Sequence, residues 1–211
     1  MISANTQQKQ IQLINTTTDI ENWYGSDAAL DRMYPPAIQK LAQQHFTNVA
    51  VAKRAAEFLA AEPGMRILDI GSGTGKFCLT AAHYQPSAFF YGIEQRRNLV
   101  AIANEVQQAV GITNVKFICG NFTQLDFSRY NHFYFYNSFY ENLNGTSKID
   151  NSIDYSAELY YYYNRYLYKQ LEQKTEGTRL ATYHSLEDEI PPSYHVVKTE
   201  MNDLLKFWIK I

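Results

Sequence analysis

The chain has 211 residues, 45% of them hydrophobic, which suits one globular domain with a small appendage and excludes a disordered chain. Its 19 basic and 21 acidic side chains give a net charge of −2, so the basic footprint of an obligate nucleic-acid-binding protein is missing. With two cysteines, no long apolar run and a polar N-terminus, the sequence predicts a cytoplasmic protein without disulfides or a membrane partner.

Residues 1–47 are predicted to form a helical N-terminal cap. Two segments in it, DAALDRMY and PAIQKLAQQHF, carry apolar residues at helical spacing, with Pro35-Pro36 between them. Thr47 or Asn48 is predicted to cap the next helix, VAVAKRAAEFLAAE, which ends before Pro63-Gly64. The main domain is therefore expected to cover residues 48–211.

Apolar strands alternate with helices through the main domain. The predicted strands are MRILDIG, FFYGIE, VKFICG, HFYFYN, RLATYH, SYHVVKTE and LLKFWIKI. The helices between them are KFCLTAAHY, NLVAIANEVQQAV and AELYYYYNRYLYKQLEQ. This alternation favours right-handed crossovers and predicts an α/β fold with a Rossmann-like, doubly wound, mostly parallel sheet of seven strands. The last two strands are predicted to pair as an antiparallel hairpin at the edge.

A glycine-rich turn, Gly71-Ser72-Gly73-Thr74-Gly75, follows the first predicted strand. Such a turn brings peptide N–H groups close to a ligand near a helix N-terminus, because no β-carbon intervenes. A P-loop is excluded, since Ile70 stands where its first glycine is needed and Phe77 where its hydroxyl residue is needed. A dinucleotide site is disfavoured because Lys76 occupies the third glycine position.

Four short motifs resemble those of the class I S-adenosylmethionine-dependent methyltransferases. Residues 68–75, LDIGSGTG, resemble the family's first motif, with Asp69 two residues before the first glycine. Glu94 ends the second predicted strand, where the family has an acidic residue for the ribose hydroxyls. Gly120-Asn121-Phe122 follows the third strand, where the family usually has Gly-Asp near the adenine. Asn137-Ser138-Phe139-Tyr140 follows the fourth, at the family's substrate position.

This resemblance implies that the cofactor is S-adenosyl-L-methionine and that the reaction is a methyl transfer. The implied cofactor-binding residues are Asp69, Gly71, Ser72, Gly73, Gly75, Glu94, Gln95, Asn121, Phe122 and Asn137. Among them, the Glu94 carboxylate can accept both hydrogens of a ribose diol in a bidentate, charge-assisted contact. No metal site is predicted.

The unidentified methyl acceptor is predicted to be an amine nitrogen. The segment Asn137–Tyr140 partly resembles the Asn-Pro-Pro-[Tyr/Phe] signature of amino-group methyltransferases and the Asn-Asn-Phe of Dot1-type histone-lysine methyltransferases, although both prolines are missing. An asparagine carbonyl beside a backbone carbonyl can accept two amine hydrogens and so aim the nitrogen lone pair. Asn137, Tyr140 and His184 are the candidate catalytic residues, with His184 as a base.

Several alternatives remain open at this point. The enzyme could instead be an O-methyltransferase of a small molecule or a nicotinamide oxidoreductase. It could also be a cofactor-binding module without turnover, an alternative motivated by Asn121 and the missing prolines. The sequence does not determine the oligomeric state, for which a homodimer is one alternative. It also does not determine the role of the tyrosine-rich segment 155–168. Lys76 is predicted to lay its stem over apolar surface with its head in solvent, or else to offset Asp69 or the carboxylate of the cofactor.

Overall fold

Seven strands form one sheet in the computed structural model, which describes residues 22–185 and 187–211. The strands are β1 (Arg66–Ile70), β2 (Phe89–Glu94), β3 (Val115–Cys119), β4 (His132–Phe135), β5 (Arg179–Tyr183), β6 (Tyr194–Glu200) and β7 (Leu205–Lys210). Their spatial order is β3-β2-β1-β4-β5-β7-β6. Neighbours among β1–β5 are parallel, and β7 runs antiparallel to both β5 and β6. The prediction of a doubly wound, Rossmann-like sheet with an antiparallel C-terminal hairpin is confirmed.

In the described part of the chain, four α-helices precede β1 and three connect strands. They are α1 (Asp27–Asp31), α2 (Pro36–Gln39), α3 (Ala42–His45), α4 (Val49–Leu59), α5 (Lys76–Tyr84), α6 (Arg97–Val110) and α7 (Ala157–Glu172). Of the two predicted caps of α4, Asn48 takes the role: its side-chain oxygen accepts a hydrogen bond from the Val51 N–H at 2.8 Å. No helix in the described part of the chain is long and apolar enough to cross a membrane.

The central strands of the sheet are buried on both faces, whereas the edge strand β6 is mostly exposed. Along β4, Tyr134 points to one face, where its ring stacks on Phe77 of α5 with 3.8 Å between centroids. Phe133 and Phe135 point to the other face and share a core with Leu167 of α7. This explains why β4 reads as a continuous aromatic run: successive side chains alternate between faces, and here both faces are covered.

The described part of the predicted cap, residues 22–47, packs against the glycine turn, whereas residues 1–21 lie outside the described part of the chain. The Tyr34 hydroxyl donates to the Thr74 carbonyl at 3.2 Å. Lys76 Nζ lies 2.6 Å from Asp31 Oδ1, and the lysine side chain is only 3% exposed. A contact between Lys76 and the carboxylate of the cofactor stays a prediction, whereas the interpretation that places the head of Lys76 in solvent is wrong. Its ammonium group is buried because α1 brings a carboxylate to the first turn of α5, where a cation would otherwise oppose the helix dipole.

We expect Asp31→Asn to lower the free energy of unfolding more than Lys76→Met. Asp31→Asn leaves a buried ammonium group without its counter-ion, which costs about 3 kcal/mol. Lys76→Met fills the same space with a neutral chain and leaves only the partly exposed Asp31 carboxylate, so the loss is about 1 kcal/mol. Urea unfolding of both variants measures the difference. Equal losses, or a larger loss for Lys76→Met, would show that the ion pair does not hold α1 in place.

Candidate functional site

A cavity of about 450 Å³ lies at the carboxyl ends of β1, β2 and β4, next to the point where the strand order reverses. Open α/β sheets bind ligands at this point. One wall is residues 44–47 at the end of the cap, and the facing wall is drawn from residues 136–155, which we call the 136–155 segment. The predicted site residues that line the cavity are Asp69, Gly71, Ser72, Gly73, Glu94, Gln95, Phe122, Asn137, Tyr140 and His184.

The glycine turn needs glycine for two different reasons. Gly71 has a φ of +78°, and a β-carbon there would lie 2.4 Å from Cβ of Ser138. Ser138 is held in place because its hydroxyl donates to the Ile70 carbonyl at 2.6 Å. Gly75, with a φ of +79°, does not line the cavity; a β-carbon there would lie 2.3 Å from the Phe117 ring. Gly71 thus allows the loop after β4 to close on the turn, whereas Gly75 allows α5 to pack against β3.

Ser72 lines the cavity, and its hydroxyl is buried over Gly92 of β2. The residue is 8% exposed, and its Oγ makes no hydrogen bond to any described residue. A buried hydroxyl without a partner costs about 1–3 kcal/mol. A β-carbon on Gly92 would lie 2.6 Å from this hydroxyl, so glycine at position 92 makes room for the Ser72 side chain under the turn.

Glu94 is fixed at the cavity wall by hydrogen bonds to both carboxylate oxygens. Oε2 accepts from the Gly73 N–H at 3.1 Å, and Oε1 accepts from the Arg96 backbone N–H at 2.9 Å. The Arg96 guanidinium also donates to Oε1, at 3.3 Å. A carboxylate has about four acceptor sites, so these contacts orient the group and leave capacity for a ligand.

Asp69 lies in the wall beside the turn, where it accepts a hydrogen bond from the Cys78 thiol at 3.6 Å. Burial raises the pKa of Asp69 from 3.8 to about 8; the thiol contact lowers the pKa somewhat, and the negative charge of Glu94 raises it. The ligand-free protein therefore holds a proton on this carboxyl group near neutral pH.

This shift gives the stability of the protein a pH dependence that Asp69→Asn removes. The folded state keeps a proton that the unfolded chain has lost, so the stabilisation is fully present below pH 3.8 and is lost as the pH rises towards 8. We expect the wild type to lose free energy of unfolding relative to Asp69→Asn over that window. Urea unfolding of both proteins at pH 5, 6, 7 and 8 measures it; parallel curves would contradict the buried, protonated carboxyl group.

Asn121 does not line the cavity itself but bonds to residues that do. Its Nδ2 donates to Gln95 Oε1 at 3.2 Å and to the Tyr163 hydroxyl at 2.8 Å, and its Oδ1 accepts from the Thr123 N–H at 3.0 Å. Gln95 and Phe122 line the cavity, and Asn121 does not. The asparagine thus orients Gln95 and ties the turn after β3 to α7.

The three candidate catalytic residues meet at the wall after β4. Asn137 has a φ of +39°, in the left-handed region, and its carboxamide makes no hydrogen bond to the part of the chain that the structure describes. His184, at φ +57°, stacks on Tyr136 with 5.7 Å between ring centroids. Tyr140 is half exposed at the mouth. An amide, an imidazole and a phenol thus line the same cavity, without a side-chain hydrogen bond to any other described residue.

Two charged or titratable residues, His45 and Arg96, are among the lining residues that no sequence motif singles out. His45, at the end of α3, has a buried Nε2 without a partner among the described residues. Burial lowers the pKa of His45, and the Glu141 carboxylate raises it. The second is Arg96, a buried cation that contacts Glu94. No local pattern predicts His45, because only the docking of the cap brings it to the cavity; Arg96 has one signal, its position two residues after Glu94.

A family model described as a methyltransferase domain matches residues 61–202. Among curated proteins, the tRNA (guanine-N(7)-)-methyltransferase of Microcystis aeruginosa is 44% identical over 54 residues, which are 26% of this chain and 26% of that protein. The corresponding protein of Synechococcus sp. strain JA-3-3Ab is 46% identical over 54 residues, 26% of this chain and 23% of that one. The match thus spans about a quarter of the length of these relatives.

Two solved structures share the fold over most of this chain. TrmN from Thermus thermophilus has a TM-score of 0.57 and 20% identity, covering 82% of this chain and 52% of that one. An RNA methyltransferase from Salinibacter ruber, in complex with S-adenosyl-L-homocysteine, has a TM-score of 0.55 and 21% identity, covering 76% of this chain and 90% of that one. At these identities the likeness concerns the fold.

Proposed function

Because the chain belongs to the methyltransferase domain family, as its resemblance to the class I enzymes predicts, we propose that it transfers a methyl group from S-adenosyl-L-methionine to an acceptor nitrogen. The observation that carries this proposal is the cavity at the carboxyl ends of the strands, which the fixed Glu94 carboxylate and the glycine turn line together.

The residues present fit an adenosyl cofactor. Gly71, Ser72 and Gly73 line the cavity beside the Glu94 carboxylate, and both glycines have positive φ angles that give the turn its shape. Glu94 would hold the ribose hydroxyls, with Gln95 and Phe122 on the adenine side. When bound, the cofactor supplies an already activated methyl group. The task of the protein is then to hold an acceptor lone pair in line, which is a matter of proximity and orientation.

An amine suits the acceptor side of the cavity. The unpaired Asn137 carboxamide can accept amine hydrogens, and His45 Nε2 and His184 are imidazole groups able to hold or take up a proton. Lys76 and Arg96, the lining cations among the described residues, are both engaged with carboxylates. A cationic amine would therefore meet no competing free cation, whereas a polyphosphate backbone would find none to bind.

A nucleobase nitrogen of RNA is the second candidate acceptor. It is favoured by the curated relatives, which are tRNA methyltransferases, and it is chemically close to the first because the same asparagine can hold a ring nitrogen or an exocyclic amine. The two candidates differ in whether phosphates must be bound outside the cavity.

Calorimetry separates cofactor classes before the acceptor is known. We expect S-adenosylmethionine and S-adenosylhomocysteine to bind the wild type and NAD to give no heat. Methyl-labelled cofactor is then offered with small primary and secondary amines, lysine peptides and unmodified tRNA. Label in an amine product supports the first candidate, and label only in tRNA selects the second. Binding of both sulfur ligands without transfer to any of these would favour a binding module and contradict an enzyme.

We expect Asn137→Ala to lower kcat by about 100-fold, since the acceptor loses its orientation. The affinity for S-adenosylhomocysteine should change less than twofold, because the asparagine faces the acceptor side. Asn98→Ala, an exposed asparagine in the first turn of α6, is the matched control and should change neither quantity. Equal losses of kcat and cofactor affinity would contradict a role in holding the acceptor.

A further inference from the structure

We propose that Arg96 is a positioning residue that joins the ribose-binding carboxylate to the acceptor wall of the cavity. The inference rests on the proposed function, because it takes Glu94 as the ribose ligand. Arg96 lies immediately before α6 and is 6% exposed, which is rare for an arginine unless its charge is matched. No sequence motif singles it out.

The guanidinium group of Arg96 uses all three nitrogens on four different partners. Nη1 donates to Glu94 Oε1 at 3.3 Å, and Nε donates to Asp150 Oδ1 at 3.3 Å. Nη2 donates to Glu141 Oε2 at 2.6 Å and to the Tyr155 hydroxyl at 2.8 Å. One partner is Glu94, the proposed ribose ligand, and the other three belong to the 136–155 segment. The planar fork of arginine suits this arrangement, whereas the point charge of lysine cannot span it.

The same partners also organise the 136–155 segment internally. The Tyr155 hydroxyl donates to the Asp150 carbonyl at 2.7 Å, and the Ile149 N–H donates to Glu141 Oε2 at 3.1 Å. Apart from one short helical turn, Tyr140–Asn142, this segment has no regular secondary structure after β4. Its shape therefore depends on side-chain contacts, and the contacts made by Glu141, Asp150 and Tyr155 converge on Arg96.

Charge balance makes this arrangement sensitive to Arg96. Three carboxylates surround one guanidinium, and Glu94 and Glu141 are both mostly buried. Without the cation, the carboxylates would repel one another and the 136–155 segment would lose its attachment to the ribose side. Because Arg96 also donates its backbone N–H to Glu94, one residue sets the position of both walls. Cofactor binding and the order of the 136–155 segment are then linked equilibria, each favouring the other.

Hydrogen exchange measured by mass spectrometry tests this link without a known acceptor. The proteins are the full-length wild type, Arg96→Met, Arg96→Lys and the control Arg97→Met, which changes the exposed neighbouring arginine. In the wild type, S-adenosylhomocysteine should slow exchange in the 136–155 segment. In Arg96→Met the segment should exchange faster without ligand, the affinity for S-adenosylhomocysteine should fall about tenfold, and bound ligand should no longer protect the segment. Arg96→Lys should recover only part of the affinity, and Arg97→Met should match the wild type.

Two milder variants cover the case in which Arg96→Met does not fold. Glu141→Gln removes one negative charge beside Arg96, and Tyr155→Phe removes the hydroxyl that bonds to Arg96, Glu141 and the Asp150 carbonyl. Both leave Arg96 paired with Glu94, and each should reduce the protection of the segment by bound ligand. Equal protection in these variants and in the wild type would overturn the proposal, as would identical behaviour of Arg96→Met and Arg97→Met. If the wild type does not bind S-adenosylhomocysteine at all, the proposed function fails, and the exchange rates of the ligand-free variants still decide whether Arg96 orders the segment.

Discussion

Gly71→Ala is expected to abolish detectable binding of S-adenosylhomocysteine and to lower the free energy of unfolding by about 3 kcal/mol. Two effects add. The φ of +78° is unfavourable for any residue with a β-carbon, and that carbon would lie 2.4 Å from Cβ and 2.5 Å from Oγ of Ser138. Ser138 cannot move freely, because its hydroxyl bonds to the Ile70 carbonyl at the end of β1. The glycine turn and the loop after β4 would therefore separate at the floor of the cavity.

A second glycine isolates the effect of the close contact. Gly64 has the same φ of +78°, but a β-carbon there would meet nothing within 4 Å. Gly64→Ala should therefore lose only the backbone contribution, about 1 kcal/mol, and bind S-adenosylhomocysteine as the wild type does. Calorimetry and urea unfolding on both variants measure the two quantities. If Gly71→Ala resembled Gly64→Ala, the turn would not depend on its contact with Ser138.

Glu94→Ala is expected to weaken the binding of S-adenosylmethionine and S-adenosylhomocysteine by about 10- to 100-fold, the range for loss of a hydrogen bond to a charged group. The carboxylate is only 5% exposed and is already oriented by the Gly73 and Arg96 N–H groups, so little ordering is needed when it accepts ribose hydroxyls. Both ligands should lose the same factor, because they share the ribose and differ at the sulfur.

The matched control for Glu94→Ala is Glu105→Ala, which removes an exposed carboxylate from α6 without touching the cavity. It should leave both affinities unchanged. Calorimetric titration of the two variants with both ligands provides the comparison. A loss confined to S-adenosylmethionine would indicate that Glu94 responds to the sulfonium charge and not to the ribose, and would move the ribose site elsewhere.

The architecture is encoded in local patterns, which explains why the sequence predicts it well. Strands such as HFYFYN are apolar throughout because both faces of the sheet are covered, and each glycine turn or cap is readable from a few adjacent residues. The N-cap Asn48 is predictable in the same way, because its hydrogen bond reaches only to the first turn of the helix that follows. The helices of the cap are also local, although the predicted PAIQKLAQQHF helix divides into α2 and α3 around Lys40 and Leu41.

The parts of the site that the sequence does not reveal depend on contacts between distant segments. Lys76 is buried because Asp31, 45 residues earlier, docks beside it. His45 reaches the cavity only because the cap folds over the glycine turn, and Arg96 gains its partners from a segment about 45 to 59 residues later. Periodicity carries no information about such pairings. The motif residues Gly75 and Asn121 do not line the cavity; Gly75 lies close to the Phe117 ring and Asn121 bonds to Tyr163, and their predicted contact with the cofactor stays a prediction.

A crystal structure of the complex with S-adenosylhomocysteine tests the central claim most directly. The account predicts the ribose hydroxyls within hydrogen-bonding distance of Glu94, the ligand against Gly71 and Gly73, and its sulfur directed towards Asn137. A ligand bound outside this cavity, or a Glu94 side chain that remains turned to Arg96 and makes no contact with the ribose, would contradict it.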